Sequence, residues 1–289
     1  MIRTLFTGAC TALVTPFSDE QINYPMLEKL LARQLDAGIK AIVLSGTTGE
    51  SPTLTDSEKI ELFRRAKAFV GSDCMIIAGT GSNSTAHAVA LSVAAELAGV
   101  DALLVVSPYY NKATGDGLVA HYTAIAEAVS LPMVLYNVPS RTGLDIPVNI
   151  YRKLSLIPKI AGVKEASTDI SKITRIKNAC SPGLAVWAGN DDLAVPVISL
   201  GGSGVISVLS NVCPEEVSAM VNAALDGDMD TATALQQQLQ PLYDLLFCEV
   251  NPIPVKEAMK YIGFDCGECR LPLCRLTKEN QKRMKEFFS

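Results

Sequence analysis

Eight short apolar runs, each separated from the next by a longer amphipathic stretch, leave this chain few architectures. The runs are "ACTALVT", "AIVLS", "MIIAG", "ALLVVS", "MVLYN", "IAGVK", "LAVWAG" and "GVISV". They are rich in leucine and β-branched residues and show little alternation, as parallel strands covered on both faces do. Between them lie helical patterns such as "PMLEKLLARQLDAG", "TDSEKIELFRRAKAFVG" and "TAHAVALSVAAELAG". Thr55, with Glu58 three residues later, makes a capping-box pattern. Gly38, Gly71 and Gly99 suit helix ends. Eight strand–helix units ending near residue 225 predict an α/β fold, a closed (β/α)8 TIM barrel. An open doubly wound sheet is the runner-up. No G-x-G-x-x-G follows the first strand, and Gly79-Thr80-Gly81 lacks the rest of that fingerprint. From "DGDMD" (Asp226 to Asp230) the pattern turns to helices alone. The expected division is a catalytic barrel over residues 1–225 and a C-terminal region of about three helices over residues 226–289.

Composition removes several function classes. The 289 residues carry a net charge of -5, and their Lys and Arg are scattered rather than striped, which argues against a nucleic-acid partner. No apolar run approaches the roughly 20 residues of a membrane span. The opening "MIRTLFTGACTALVTPF" has one basic residue, Arg3, and is interrupted by Thr4, Thr7 and Thr11 before ending at Pro16. It reads as a first strand rather than a signal peptide, so a cytoplasmic location is expected. Of eight cysteines, Cys10, Cys74 and Cys213 fall in apolar or helical settings where small buried thiols are usual. "CGEC" (Cys266 to Cys269), with Cys274 behind it, reads as free thiols in a C-terminal turn rather than a zinc or redox site.

In such barrels the active site forms at the carboxyl ends of the strands. Those ends read "SGTTGES", "SPYYNK", "YNVPSRTG", "GVKEAS" and "AGNDD". They are rich in hydroxyls and glycines. His87 and His121, the two histidines, fall in helical patterns, so neither a metal-dependent aldolase nor a Ser-His-Asp hydrolase fits. No metal and no cofactor is expected. Lysine remains as a nucleophile, because an amine condenses with a ketone to an imine that serves as an electron sink. Lys164 ends the sixth strand, where desolvation in a dry mouth favours the neutral amine. Tyr136 ends the fifth strand, and neighbouring strands lie about 4.8 Å apart, so its phenol is within reach as an acid/base partner. Thr47 and Thr48 sit in a glycine-flanked turn whose N–H groups suit an anion. Asn190, Asp191 and Asp192 read as caps of the helix that follows them.

Taken together, "GTTGES", "SPYYNK", "YNVPSRTG", "GVKEAS", "GND" and "NPIPVK" resemble the dihydrodipicolinate synthase branch of the pyruvate-dependent class I aldolases, within the N-acetylneuraminate lyase superfamily. The likeness runs from Gly8 to about residue 276. It implies that Lys164 forms the imine with pyruvate, and that Tyr136, Thr47 and Tyr110 form a proton relay, Tyr110 being donated across a subunit interface. It implies further that Thr48 binds the pyruvate carboxylate and Arg141 the incoming aspartate-semialdehyde, with Gly189 and Asn251 near the site. The product implied is 4-hydroxy-tetrahydrodipicolinate, on the route to diaminopimelate and lysine, made by a homotetramer built as a dimer of dimers. In lysine-sensitive relatives the effector lies near the helices after "GTTGES" and after the third strand. Ser51, Asn83 and Tyr109 match that pattern, while His87 replaces a glutamate, and Asp56 and Lys59 replace histidines. A degenerate lysine site is therefore expected.

Two rivals remain open at this point. Sister aldolases, N-acetylneuraminate lyase or a 2-keto-3-deoxy sugar acid aldolase, share the lysine and tyrosine. Arg141 favours a short carboxylate substrate, because a guanidinium pairs bidentately with it. A non-catalytic barrel that binds a small acid would not need the full lysine–tyrosine–threonine set.

Overall fold

The computed structural model describes residues 4–289; the first three residues of the expected N-terminal strand lie outside that range. Eight strands close into a parallel barrel in sequence order. They are β1 (Gly8–Ala12), β2 (Ala41–Leu44), β3 (Met75–Gly79), β4 (Ala102–Val106), β5 (Met133–Asn137), β6 (Ile160–Glu165), β7 (Ala185–Ala188) and β8 (Gly204–Ser207). Six lie within the apolar runs; β1 starts one residue before its run, at Gly8, and β6 ends one residue after its run, at Glu165. A two-stranded hairpin, Phe17–Ser18 with Gln21–Ile22, sits outside the barrel. The first helices are α1 (Tyr24–Asp36), α2 (Asp56–Val70), α3 (Thr85–Leu97) and α4 (Gly115–Ala128). Next come α5 (Pro139–Thr142), α6 (Val148–Leu154), α7 (Ser171–Ala179), α8 (Ala194–Ser199) and α9 (Pro214–Asp226). The chain then runs through α10 (Met229–Leu246), α11 (Ile253–Tyr261) and α12 (Lys278–Phe287).

Local chemistry sets these boundaries. The Thr55 side chain accepts from the Glu58 N–H, and the Glu58 carboxylate accepts from the Thr55 N–H at 2.8 Å, so the capping box opens α2 as expected. Gly71, at φ 54°, ends the helix. Leu62, Phe63, Ala66 and Val70 form its buried face. A large apolar side chain taken fully out of water contributes roughly 1.5–3 kcal/mol, so such a face rather than helix propensity holds the helix in place.

Each strand sends alternate residues to two cores. Ala41 and Val43 of β2 point into the barrel, with Cys10, Ala12, Ala102 and Leu104 around them. Ile42 and Leu44 point outward beneath the helices, in the same layer as Ile76, Leu103 and Leu135. The amino-terminal end of the barrel is filled by Phe6 stacked on Trp187, ring centroids 4.6 Å apart. Gly162 makes room for that indole, since a Cβ there would come within 2.5 Å of Trp187 Cζ3. Among the described residues, the interior is therefore packed at its amino-terminal end.

No helix among the described residues is long and apolar enough to cross a membrane. All eight cysteines are free; Cys10 and Cys74 are buried and Cys213 partly so.

Candidate active site

Tyr136 and Lys164 are direct register partners on β5 and β6. A ladder of backbone hydrogen bonds, not a loop, fixes their spacing. The Lys164 Nζ lies over the Tyr136 ring, 4.5 Å from its centroid, and the two residues are only 5% and 7% exposed. The next residue, Glu165, faces the other way. It accepts from Asn137 Nδ2 at 2.7 Å, Tyr151 Oη at 3.0 Å and the Ser167 N–H at 2.8 Å, with Lys172 Nζ at 3.3 Å. Burial, and then the Glu165 carboxylate, push the Tyr151 phenol well above its ordinary range, so it stays a donor. This buried network clamps the end of β6 and so holds Lys164 in place.

A cavity of about 340 Å³ opens above them. Thr47, Tyr136, Arg141 and Asn251 line it. Lys164 adjoins that wall through the Tyr136 ring. Thr48 is buried one step back, its hydroxyl accepting from Asn251 Nδ2 at 3.0 Å. Among the described residues, the Thr47 and Thr48 N–H groups donate to no backbone carbonyl, and of the two residues Thr47 lines the cavity. Arg141 leaves the rim on the short helix α5, and its Nη2 donates to the Asn251 carbonyl at 3.2 Å. Gly189 carries no side chain into the site. Its N–H donates to the Glu165 carbonyl at 2.8 Å, and a Cβ there would meet Ala166 Cβ at 2.6 Å, so it serves close packing beside Lys164.

Tyr110 is not brought to Lys164 within the subunit. It is 90% exposed, at φ 70°, and does not line the cavity. Its neighbour Tyr109 does line the cavity, as do Ser51, Lys59 and His87. Asn83 does not line the cavity; its carbonyl accepts from Asn111 Nδ2 at 2.9 Å. Asp56 is shared: His87 Nε2 lies 2.8 Å and Lys59 Nζ 3.6 Å from its carboxylate oxygens.

Several site-supporting residues were not singled out from sequence. Glu50, in the turn of Thr47 and Thr48, forms a buried ion pair with Lys256 of α11 at 2.7 Å. Its other oxygen accepts from the Arg270 N–H at 2.9 Å. The Arg270 guanidinium pairs with Glu58 and lies over the Phe17 ring, 4.4 Å from its centroid. The segment after α11 is thereby drawn over the mouth, where Pro272 and Leu273 join the cavity wall. A lysine inside the apolar "NPIPVKEAM" was the available signal for this tie.

The expected caps at residues 190–192 are absent. No side chain caps the short helix that starts there. Asp191 instead accepts from the N–H groups of Val208 and Leu209, at 2.9 and 3.1 Å, after β8. Two unpaired N–H groups in the buried interior outcompete a partly solvated helix start. Burial raises the Asp191 pKa, and its hydrogen bonds oppose that shift.

Known proteins carry the same plan. A family model described as the dihydrodipicolinate synthetase family matches residues 5–289. A 4-hydroxy-tetrahydrodipicolinate synthase of Thermoanaerobacter sp. is 44% identical over 286 residues, covering 99% of this chain and 96% of its own. The solved 4-hydroxy-tetrahydrodipicolinate synthase from the methanotroph Methylacidiphilum fumariolicum SolV superposes with a TM-score of 0.95 at 43% identity, over 97% of this chain and 94% of that one. A dihydrodipicolinate synthase from Cyanidioschyzon merolae, solved with lysine bound, gives 0.95 at 40% identity over 98% and 97%. With full-length matches at this level and a lysine–tyrosine pair at the open end of its barrel, the chain belongs to the dihydrodipicolinate synthetase family.

Proposed function

We propose that this chain is a 4-hydroxy-tetrahydrodipicolinate synthase that condenses pyruvate with L-aspartate-4-semialdehyde through an imine on Lys164. The observation that carries the assignment of residues is the in-register, buried pairing of Lys164 with Tyr136 beneath a cavity. The amine attacks the pyruvate carbonyl carbon, and the resulting carbinolamine loses water to give the imine. The N–H groups of Thr47 and Thr48 suit the pyruvate carboxylate. Loss of a methyl proton gives an enamine, whose terminal carbon bonds to the aldehyde carbon of the second substrate. The substrate amine then attacks the imine carbon and releases Lys164, closing the ring. Tyr136, Thr47 and a Tyr110 supplied by a second subunit move the protons in this reading, and Arg141 at the mouth binds the carboxylate of the semialdehyde.

The exposed Tyr110 supports an assembled enzyme, because in isolation its ring has no role in the cavity. A homotetramer in the cytoplasm fits that reading.

The test is covalent. Borohydride reduction in the presence of pyruvate should leave one reduced pyruvyl group on Lys164, located by peptide mass. An adduct on Lys112 or Lys256, or none at all, would overturn the assignment.

A further inference from the structure

Cys269 and Cys274 flank a tight turn at the rim of the cavity. The Leu273 N–H donates to the Arg270 carbonyl at 3.1 Å, closing a four-residue turn from Arg270 to Leu273. Such a turn brings the Cα atoms of Arg270 and Leu273 within about 7 Å and reverses the chain between the two cysteines, and a disulfide needs Cα atoms about 4.4–6.8 Å apart. The two cysteines are the residues on either side of that turn. Both are free; Cys269 is half-buried and Cys274 exposed. Leu271, at the tip of the turn, is 81% exposed, so an oxidant has access. The third nearby thiol, Cys266, is buried and directed at Met259, with 3.9 Å between the two sulfurs.

The turn is not a free surface loop. Pro272 and Leu273 within it line the outer wall of the cavity, with Val250, Asn251 and Arg141. The residue between Cys269 and the turn tip, Arg270, is fixed to Glu50 and Glu58. A bridge across the turn therefore acts on a wall whose base is anchored.

We propose that Cys269 and Cys274 are a thiol-modification site, a reversible disulfide pair whose closure reshapes the aldehyde side of the cavity. The oxidant is a small disulfide of the glutathione class. The Cys274 thiolate attacks one of its sulfurs, forming a mixed disulfide and expelling one thiolate. Cys269 then loses its proton and attacks the Cys274 sulfur, expelling the second. Two protein thiols become one disulfide, and the oxidant is reduced to two thiols. The order follows from surroundings: burial and the neighbouring Glu50 carboxylate push the Cys269 thiol up to about 12, so the exposed Cys274 reacts first. Closure contracts the ring around Leu271, Pro272 and Leu273 and draws Cys269 from Glu50. Lys164, behind the Tyr136 ring, is untouched.

The effect on activity rests on the reaction proposed above; the bridge itself does not. The test takes the full-length reduced protein, treats it with glutathione disulfide, blocks remaining thiols and digests with trypsin. The peptides from Tyr261 to Arg270 and from Leu271 to Arg275 should be recovered linked, and Cys269→Ser should abolish the link. The oxidised enzyme should show a severalfold higher KM for aspartate-semialdehyde, reversed by dithiothreitol, with unchanged borohydride trapping of pyruvate. Cys274→Ser should be indifferent to the oxidant. Unlinked peptides, a link that survives in Cys269→Ser, or an unchanged KM in linked protein would overturn the proposal. A reduced protein without turnover would count against the reaction, whereas the link is read by mass alone and tests the pair regardless.

Discussion

Replacing Lys256 with methionine should destabilise the protein far more than replacing both members of its ion pair. Lys256 Nζ lies 2.7 Å from Glu50 Oε1, and both residues are about 2% exposed. At that distance and an effective dielectric near 20, the Coulomb attraction is about 6 kcal/mol. Desolvating two ions costs several kcal/mol each, so the pair as a whole contributes little net stability. Lys256→Met removes the attraction and leaves the Glu50 carboxylate buried, with the Arg270 N–H as a remaining donor. Breaking such a pair costs about 3–5 kcal/mol. Lys256→Met with Glu50→Gln removes both charges, and the new amide oxygen can still accept from the Arg270 N–H. The double variant should fall within about 1–2 kcal/mol of the parent. Trp187, the single tryptophan, is buried in the barrel and reports urea unfolding by fluorescence. With a urea slope near the upper end of about 1–3 kcal/mol per molar, the single variant should lose about 1 M or more in midpoint. A single variant that loses under about 1 kcal/mol, or a double variant that loses the sum of the two singles, would refute this account of the pair.

The other expectations concern the mouth of the barrel and its surroundings. Arg141→Ala should keep borohydride trapping of pyruvate but lower kcat/KM for the semialdehyde by about 10- to 100-fold, the worth of one charge-assisted contact; lost trapping with an unchanged semialdehyde KM would show the role to be wrong. Tyr110→Phe should slow turnover by about 10²-fold or more, and mixing it with Lys164→Ala after subunit exchange should restore part of the activity; verified mixed dimers with none would argue against a shared site. Lysine should inhibit weakly or not at all, because the Asp56 carboxylate is already held by Lys59 and His87 and offers no free anion to a second cation; strong inhibition by millimolar lysine at sub-saturating pyruvate, or lysine seen at Asn83 and Tyr109 in a soaked crystal, would contradict this.

What the sequence disclosed follows from what local pattern can report. The eight strands were legible because each is a short apolar run without alternation. The pairing of Tyr136 with Lys164 was legible because both end neighbouring strands of a parallel barrel, where register fixes distance. The tie between Glu50 and Lys256 spans 206 positions, and no short-range period signals it. Asp191 was misread for a related reason. Its own helix start offered a local partner, while the two N–H groups it serves lie 17 and 18 residues away, past another helix and strand. Pro272 and Leu273 gave no sign of lining the cavity, because their place is decided by what Arg270 grips rather than by their own character.

The stack of Phe6 on Trp187 has a consequence for traffic. It blocks the amino-terminal end of the barrel among the described residues, so both substrates and the product pass through the cavity at the other end. The molecule bonded deepest must enter first, and the aldehyde can only follow it. An aldehyde mimic lodged between Arg141 and Leu273 should then obstruct departure as well as arrival, and trap the three-carbon adduct behind it instead of simply competing for a seat.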